Sequence, residues 1–336
     1  MKEFRNYSLL NQNTFGIDVL AQKYVEFDSE SEVQGYVKSF DSYQENVLPI
    51  GQGSNLLFTK DYQGVVFHSK ILGIDLVAED ADSVTLRVGS GVIWDDFVNY
   101  CVSHSYYGIE NLSLIPGEVG ASAVQNIGAY GVEVKDWIEK VETIEIRTGE
   151  KRIFKNADCR YSYRSSVFKT ECKGAYFVTY VVFRLKKHFI PQLKYGTLKS
   201  IVGSENKPIT AQQMRAVIIQ IRQEKLPDPK YIGNAGSFFM NPVIDARDFY
   251  LLQKEYPQIP YYEVGEKYKI PAAWFIEQSG WKGRRLGNAG VYEKQALILI
   301  NCGGAKGCDI VSLKEAICKD VKEKFGIELN PEVQFL

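Results

Sequence analysis

The stretch from Ile115 to Gly131, IPGEVGASAVQNIGAYG, carries four glycines with Ser122, Gln125 and Asn126 set between them. Glycine lets backbone come close to another group and adopt positive φ. Two shorter segments repeat the theme: Gly51, Gln52, Gly53, Ser54 and Asn55, and the triplet Gly89-Ser-Gly91. Successive N–H groups in such turns form anion-binding concavities, and a pyrophosphate is their natural guest. A structural loop is the plainer reading of either short turn, whereas the long run favours a ligand, since few polar chains need that much close backbone approach without one. None is the dinucleotide fingerprint, because GQGSNL has no third glycine, and none is a P-loop, because no Gly-Lys-Ser/Thr follows.

A chain of 336 residues, 45% hydrophobic and 24% charged, can bury a substantial core and form two or three domains. The formal net charge of -1 supplies no whole-chain field for nucleic acid or an acidic membrane, though a local basic cluster stays open. No segment approaches the roughly 18 apolar residues that span a bilayer. The opening MKEFRNYSLLNQNTF has no signal-peptide core, so a cytoplasmic protein is expected. The six cysteines form no disulfide framework. Cys302 and Cys308 lack CxxC spacing and no histidine follows in zinc-site order, so reduced thiols and no metal are expected. The three histidines, His68, His104 and His188, sit in no recognisable motif, and His188 reads as a solvated strand end. An enzyme built from this chain needs another proton carrier.

Periodicity gives the organisation. Residues 31–40 are helix-like, and VLPIGQGSN is a buried strand entering a glycine turn. GVVFHS and SVTLRVGSG read as strands, and IWDDFVNYCVSHS as a helix burying Ile93, Trp94, Phe97, Val98 and Cys101. From about residue 138 strands dominate, with a hairpin around Thr148-Gly149 and a long strand in AYFVTYVVFRLKK. A boundary falls near residue 205. Beyond it, a helix starts at the N-cap Thr210 and stops at Pro227. A helix in PAAWFIEQSG, a strand in QALILINCGG, a helix capped by Ser312 and a final strand PEVQFL follow. The class is α+β with mixed sheets.

Three further segments carry candidate chemistry. YSYRSSVFK sets Arg164 among hydroxyls and aromatics, where a lone arginine is usually a packing or surface residue. KLPDPKYIGNAGSFFMNP presents Ser237 after Gly233-Asn-Ala-Gly236 and before two phenylalanines. On spacing alone a tight turn with a solvated serine is slightly the better reading. NPEVQF holds Glu332 in an apolar strand, either exposed or buried with a partner.

Taken in order, PIGQGSNLLF, SLIPGEVGASAVQNIGAYG, YRSSVFK, KLPDPK, GNAGSFFMNP and PEVQF resemble the UDP-N-acetylenolpyruvoylglucosamine reductase family over nearly the whole chain. QLKYGTL and the insertion around it resemble its type I branch. Glu118 departs from the pattern, at a position where relatives carry a small or thiol residue.

The resemblance implies a FAD-binding fold of the type shared with vanillyl-alcohol oxidases, plus a C-terminal α+β substrate-binding domain. It implies FAD-binding subdomains at 1–66 and 67–205 (FAD-binding region about 17–188) and a substrate domain at 206–336 whose last strand, 330–336, returns to the active site. FAD, held without a covalent link, would contact Gly51, Gln52, Gly53, Ser54, Asn55, Gly117, Ser122, Ala123, Asn126, Ile127 and Arg164. NADPH would reduce the flavin and leave before UDP-N-acetylglucosamine enolpyruvate binds. Arg164, Ser237 and Glu332 match the family's catalytic residues, with Ser237 as proton donor. Tyr195, Lys225, Asn241 and Gln295 match substrate-binding positions. Lys225 and Lys230 bring local positive charge, although Lys230 reads equally well as a solvated loop residue. A monomer without nucleic-acid or membrane partners is expected.

Two alternatives remain at this level. One is another flavin oxidoreductase of the same fold, such as an oxidase, which would need a base where this chain offers a proton donor. The other is a non-catalytic nucleotide-sugar-binding protein, which would be colourless.

Overall fold

The computed structural model describes residues 1–39, 45–193, 198 and 209–336. Tyr195 and the boundary expected near residue 205 therefore lie outside the described residues. The chain divides into two compact units. The first takes 1–7, 21–52 and 63–222, and the second takes 8–20, 53–62 and 223–336.

The first unit is built on two sheets. One has four strands in the order Lys2–Ser8, Leu20–Phe27, Tyr62–Ser69, Val47–Ile50, the last two parallel. The other has five antiparallel strands in the order Lys151–Lys155, Ile138–Glu145, Tyr176–Lys186, Ser83–Gly89, Ile74–Glu79. The expected hairpin is the pairing of Ile138–Glu145 with Lys151–Lys155, turned at Gly149 with φ +72°. Alternation along Tyr176–Lys186, shifted by one residue at the irregularity between Val178 and Tyr180, decides which side chains go where. Phe177 packs edge-on against Phe27 and Phe67 with Val33 and Val37 of helix Glu30–Ser39. Val181, Phe183 and Leu185 instead join Trp94, Phe97, Val98 and Cys101 of helix Trp94–Ser103 in the main core. That helix buries the face its apolar spacing predicts, except that Ile93 is its N-cap, in extended backbone, and only half-buried.

Helix Ala211–Lys225 begins as expected. Thr210 Oγ1 accepts from Gln213 N–H at 3.2 Å, and Gln213 Oε1 accepts from Thr210 N–H at 2.9 Å, a reciprocal capping box.

The second unit has two three-stranded sheets, Val243–Asp245 with Lys267–Lys269 and Tyr262–Val264, and Arg285–Leu286 with Ala289–Val291 and Leu299–Asn301. Helices Ala246–Glu255, Ala272–Gln278 and Gly307–Phe325 accompany them. Tyr256, Trp274 and Phe275 close around Phe325. Ser312 does not cap the last helix. Asp309 accepts the N–H of Lys306 at 2.8 Å and starts it six residues earlier at Gly307, while Ser312 Oγ donates to Cys308 O at 2.9 Å. An earlier start is possible because residue 307 is glycine: a Cβ there would fall on the carbonyl of Phe58.

Candidate active site

In the first unit Gly51 and Gln52 meet the other two glycine segments. Gln52 Oε1 accepts from Gly117 N–H at 3.1 Å. A Cβ on Gly51 would lie 3.0 Å from Glu118 Oε2 and 3.3 Å from Ala121 Cβ. Gly120 N–H donates to Ser90 O and Val119 N–H to Val92 O, both at 2.9 Å, so Gly89-Ser-Gly91 backs the same turn. Much of the glycine here serves close approach of protein to protein: a Cβ on Gly120 would come within 2.7 Å of Ser90 Cβ.

The polar side chains of this loop face inward. Ser122, buried in helix Val119–Gln125, donates to Val119 O at 2.7 Å. Asn126 is fully buried in a left-handed conformation with φ +47°. Its Nδ2 donates to Ser162 O at 2.8 Å and Glu133 Oε2 at 3.2 Å, while its Oδ1 accepts from Lys135 N–H at 3.2 Å. Ile127 N–H donates to Ser122 O, and Ala123 packs in the main core. Left-handed Gly117, φ +126°, redirects the backbone at the junction of the two loops. The amides of Gly117, Val119, Gly120, Ser122 and Ile127 are all given to protein acceptors, so the glycines of this loop serve the close packing of the two turns.

Arg164 stands close to this loop in the same unit. Its Nη2 donates to Gly128 O at 2.6 Å. Its backbone is left-handed at φ +54°, a conformation costing a non-glycine residue on the order of 1–2 kcal/mol. Two features hold it there: the Ser162–Ser165 bridge, and Lys169, whose Nζ donates to Arg164 O at 3.1 Å and Gln125 Oε1 at 2.7 Å. Lys169 closes the YRSSVFK motif, and sequence reasoning passed over it. The guanidinium lies 5.1 Å from the Tyr163 ring centre.

The second unit assembles the other segments. Asn234 is buried; its Nδ2 donates to Pro227 O and Ile232 O, and its Oδ1 accepts from Gly236 N–H at 2.9 Å. Gly236 takes φ +68°, and Ser237 emerges exposed beyond it. Phe238 and Phe239 return to the core. Glu332 N–H donates to Phe238 O at 2.8 Å and Met240 N–H to Asn330 O at 2.9 Å, so the terminal segment lies alongside Ser237–Met240. Gln334 and Phe335 pair in parallel with Leu56 and Leu57, and Asn55 Nδ2 donates to Glu332 O at 3.2 Å. Ser237, Glu332 and the Gly53–Asn55 turn are thus neighbours within one unit. Gly53 is buried with φ +63°, beside Ser54.

The remaining sequence candidates are scattered over the second unit. Lys225 ends helix Ala211–Lys225, and Lys230 is exposed in the loop after it. Asn241 Oδ1 accepts from Ala272 N–H at 2.9 Å, which commits one end of its amide to a helix start. Gln295 Oε1 accepts from Leu297 N–H at 3.3 Å.

Family models match both regions: "UDP-N-acetylenolpyruvoylglucosamine reductase, C-terminal domain" over residues 228–336 and "FAD binding domain" over 21–153. A curated UDP-N-acetylenolpyruvoylglucosamine reductase of Bacteroides fragilis (strain YCH46) is 54% identical over 334 residues, 99% of each chain. The chain belongs to the UDP-N-acetylenolpyruvoylglucosamine reductase family. A relative from Porphyromonas gingivalis (strain ATCC 33277) is 49% identical, covering 99% of this chain and 98% of its own. The crystal structure of the Thermus caldophilus reductase superposes with a TM-score of 0.69 at 20% identity, covering 99% of this chain and 98% of that one, and shares the fold. The α+β class and the flavin-binding type expected from the sequence stand.

Proposed function

We infer that this chain reduces UDP-N-acetylglucosamine enolpyruvate to UDP-N-acetylmuramate with NADPH, through FAD, in the supply of peptidoglycan precursors. The observation that carries this reading is 54% identity across 99% of both chains with a reductase of that name. The residues present suit the cofactor, because the Gly51–Asn55 turn joins two glycines to small polar residues and the Gly117 loop packs directly against it. FAD-binding subdomains over 1–66 and 67–205 and a substrate domain over 206–336 belong to the same proposal.

FAD, when bound, would supply the hydride, drawn from NADPH, that adds to the methylene carbon of the enolpyruvyl group. Negative charge then develops on the adjacent carbon and spreads into the carboxylate. Arg164 holds that carboxylate, its guanidinium oriented by the bond to Gly128 O. Glu332 acts in a protonated or shared form, since an ionised carboxylate beside an enolate would oppose the reaction. Ser237 gives its hydroxyl proton to the carbon. A serine is a weak acid, but a carbanion is a far stronger base than water. Asn55, Gly117, Ser122, Ala123, Asn126 and Ile127 border the cofactor. Tyr195, Lys225, Asn241 and Gln295 take the sugar and diphosphate. The protein works as a cytoplasmic monomer with no nucleic-acid partner. No described helix is long and apolar enough to cross a membrane.

The test is an anaerobic titration of the flavin-loaded protein with NADPH and then with substrate. Bleaching by NADPH and return of the yellow colour on adding substrate, without peroxide, is the expected course. A colourless protein that binds the UDP-sugar, or reoxidation that requires oxygen, would overturn the reading.

A further inference from the structure

His68, which belongs to no recognisable motif, lies at the centre of a buried polar chain in the first unit. It stands in strand Tyr62–Ser69 with 2% of its surface exposed. Its Nε2 is 2.9 Å from Glu118 Oε1 and its Nδ1 is 2.5 Å from the hydroxyl of Tyr24. Tyr24, fully buried, stacks on Tyr7 with ring centres 4.4 Å apart, and its hydroxyl lies 3.4 Å from Glu26 Oε1. Lys70 reaches Glu26 from outside at 3.7 Å. Glu118 is itself 4% exposed, and its second oxygen is the atom 3.0 Å from where a Cβ on Gly51 would stand.

These contacts set a problem that the mechanism above leaves untouched. A carboxylate is buried against the turn that, on the reading proposed above, receives the flavin's pyrophosphate. Two like charges at short range in a poorly solvated place repel strongly, and a buried carboxylate without a partner is costly in its own right. Among the described residues, His68 is the basic side chain paired with Glu118. We propose that Tyr24, His68 and Glu118 form a charge-compensating triad, in which His68 is a positioning residue that holds Glu118 neutral as a pair and so permits an anion on the Gly51–Asn55 turn. Tyr24 fixes the ring: with Nδ1 held by the phenol, Nε2 is the nitrogen that faces the carboxylate. Helix Val119–Gln125 follows directly from Glu118, so the same pair fastens the Gly117 loop to the sheet interior. Nothing in this role requires the triad to touch substrate.

The experiment measures FAD dissociation constants by equilibrium dialysis and flavin fluorescence on stripped and reloaded protein, with no turnover involved. His68→Gln keeps a donor of similar reach but no basic nitrogen, and its FAD affinity should fall about tenfold or more. Adding Glu118→Gln to that variant removes the charge that needed compensation, and affinity should return to within about threefold of the parent protein. If His68→Gln does not fold, Tyr24→Phe, which frees Nδ1, should still weaken FAD by a few-fold. Unchanged affinity in His68→Gln, or a double variant as weak as the single one, would overturn the proposal. Failure of the parent protein to bind FAD at all would instead overturn the functional reading.

Discussion

Around Ile115–Gly131 the chain turns its side chains inward, while around Gly233–Asn241 one of them is turned out. In the first segment Glu118, Ser122 and Asn126 are all buried and bonded to the protein. In the second, Asn234 is buried in the same manner, yet Ser237, three residues on, is exposed. Both segments turn on residues with positive φ, Asn126 and Gly236 among them. The difference lies in what each leaves available. The first commits its polar side chains and many of its amides to the protein, which fixes the shape of the loop whatever reaction follows. The second leaves a hydroxyl, which suits a single chemical step.

That contrast can be broken by substitution. Ser237→Ala should leave FAD binding and flavin reduction by NADPH intact and slow reoxidation by substrate by about 10²–10³ or more, read by anaerobic stopped flow. Equal rates in both half-reactions would remove Ser237 from its role. Asn126→Ala should act in the opposite manner. It strands the groups that Asn126 now bonds, so stability should fall by about 2–3 kcal/mol in urea titration and FAD should be retained less well. Lys169→Met tests a residue acting through Arg164. It should slow the second half-reaction about tenfold while FAD affinity holds, and Lys169→Arg should recover most of the loss.

The smallest effect concerns Glu110. Burial raises its carboxyl above the ordinary value of 4.5, against the backbone donor at Gly108. The folded protein therefore binds this proton more tightly than the unfolded chain does. Stability from this group is present below pH 4.5 and is lost as pH rises through the raised value. Glu110→Gln should flatten that part of a stability–pH profile measured by thermal melting.

Long periodic segments were legible in the sequence because their partners are near. Helix Trp94–Ser103, the hairpin at Gly149 and the Thr210 cap all follow from residues within one or two turns of each other. Helix Ala246–Glu255 and the pairing of Tyr262–Val264 with Lys267–Lys269 were not singled out, and several of their apolar residues, Tyr250, Leu251, Tyr262 and Val264, are exposed, which blurs the pattern. The Ser312 cap was misplaced because a polar residue before an apolar run is also what a helix interior can offer. For the site, the glycine segments and their order were readable. The Glu118–His68 pair was not, since it joins residues 50 apart, and neither was the Lys169 clasp on Arg164. Asn126 and Asn241 matched family positions, but their side-chain commitments to Ser162 and Ala272 emerge only once the chain is folded.

The second unit is drawn from residues 8–20, 53–62 and 223–336, so the backbone passes between the two units five times. Neither unit is therefore a cassette. No single cut frees a contiguous piece that contains all of either one, and a C-terminal fragment starting near residue 223 would lack the strand Leu56–Leu57 that pairs with Gln334–Phe335. Grafting the second unit of a relative onto this chain would require three segments to be exchanged at five junctions. Exchange at the junction near residue 223 alone would pair Gln334–Phe335 of one parent with Leu56–Leu57 of the other, so the two parents must agree in that register.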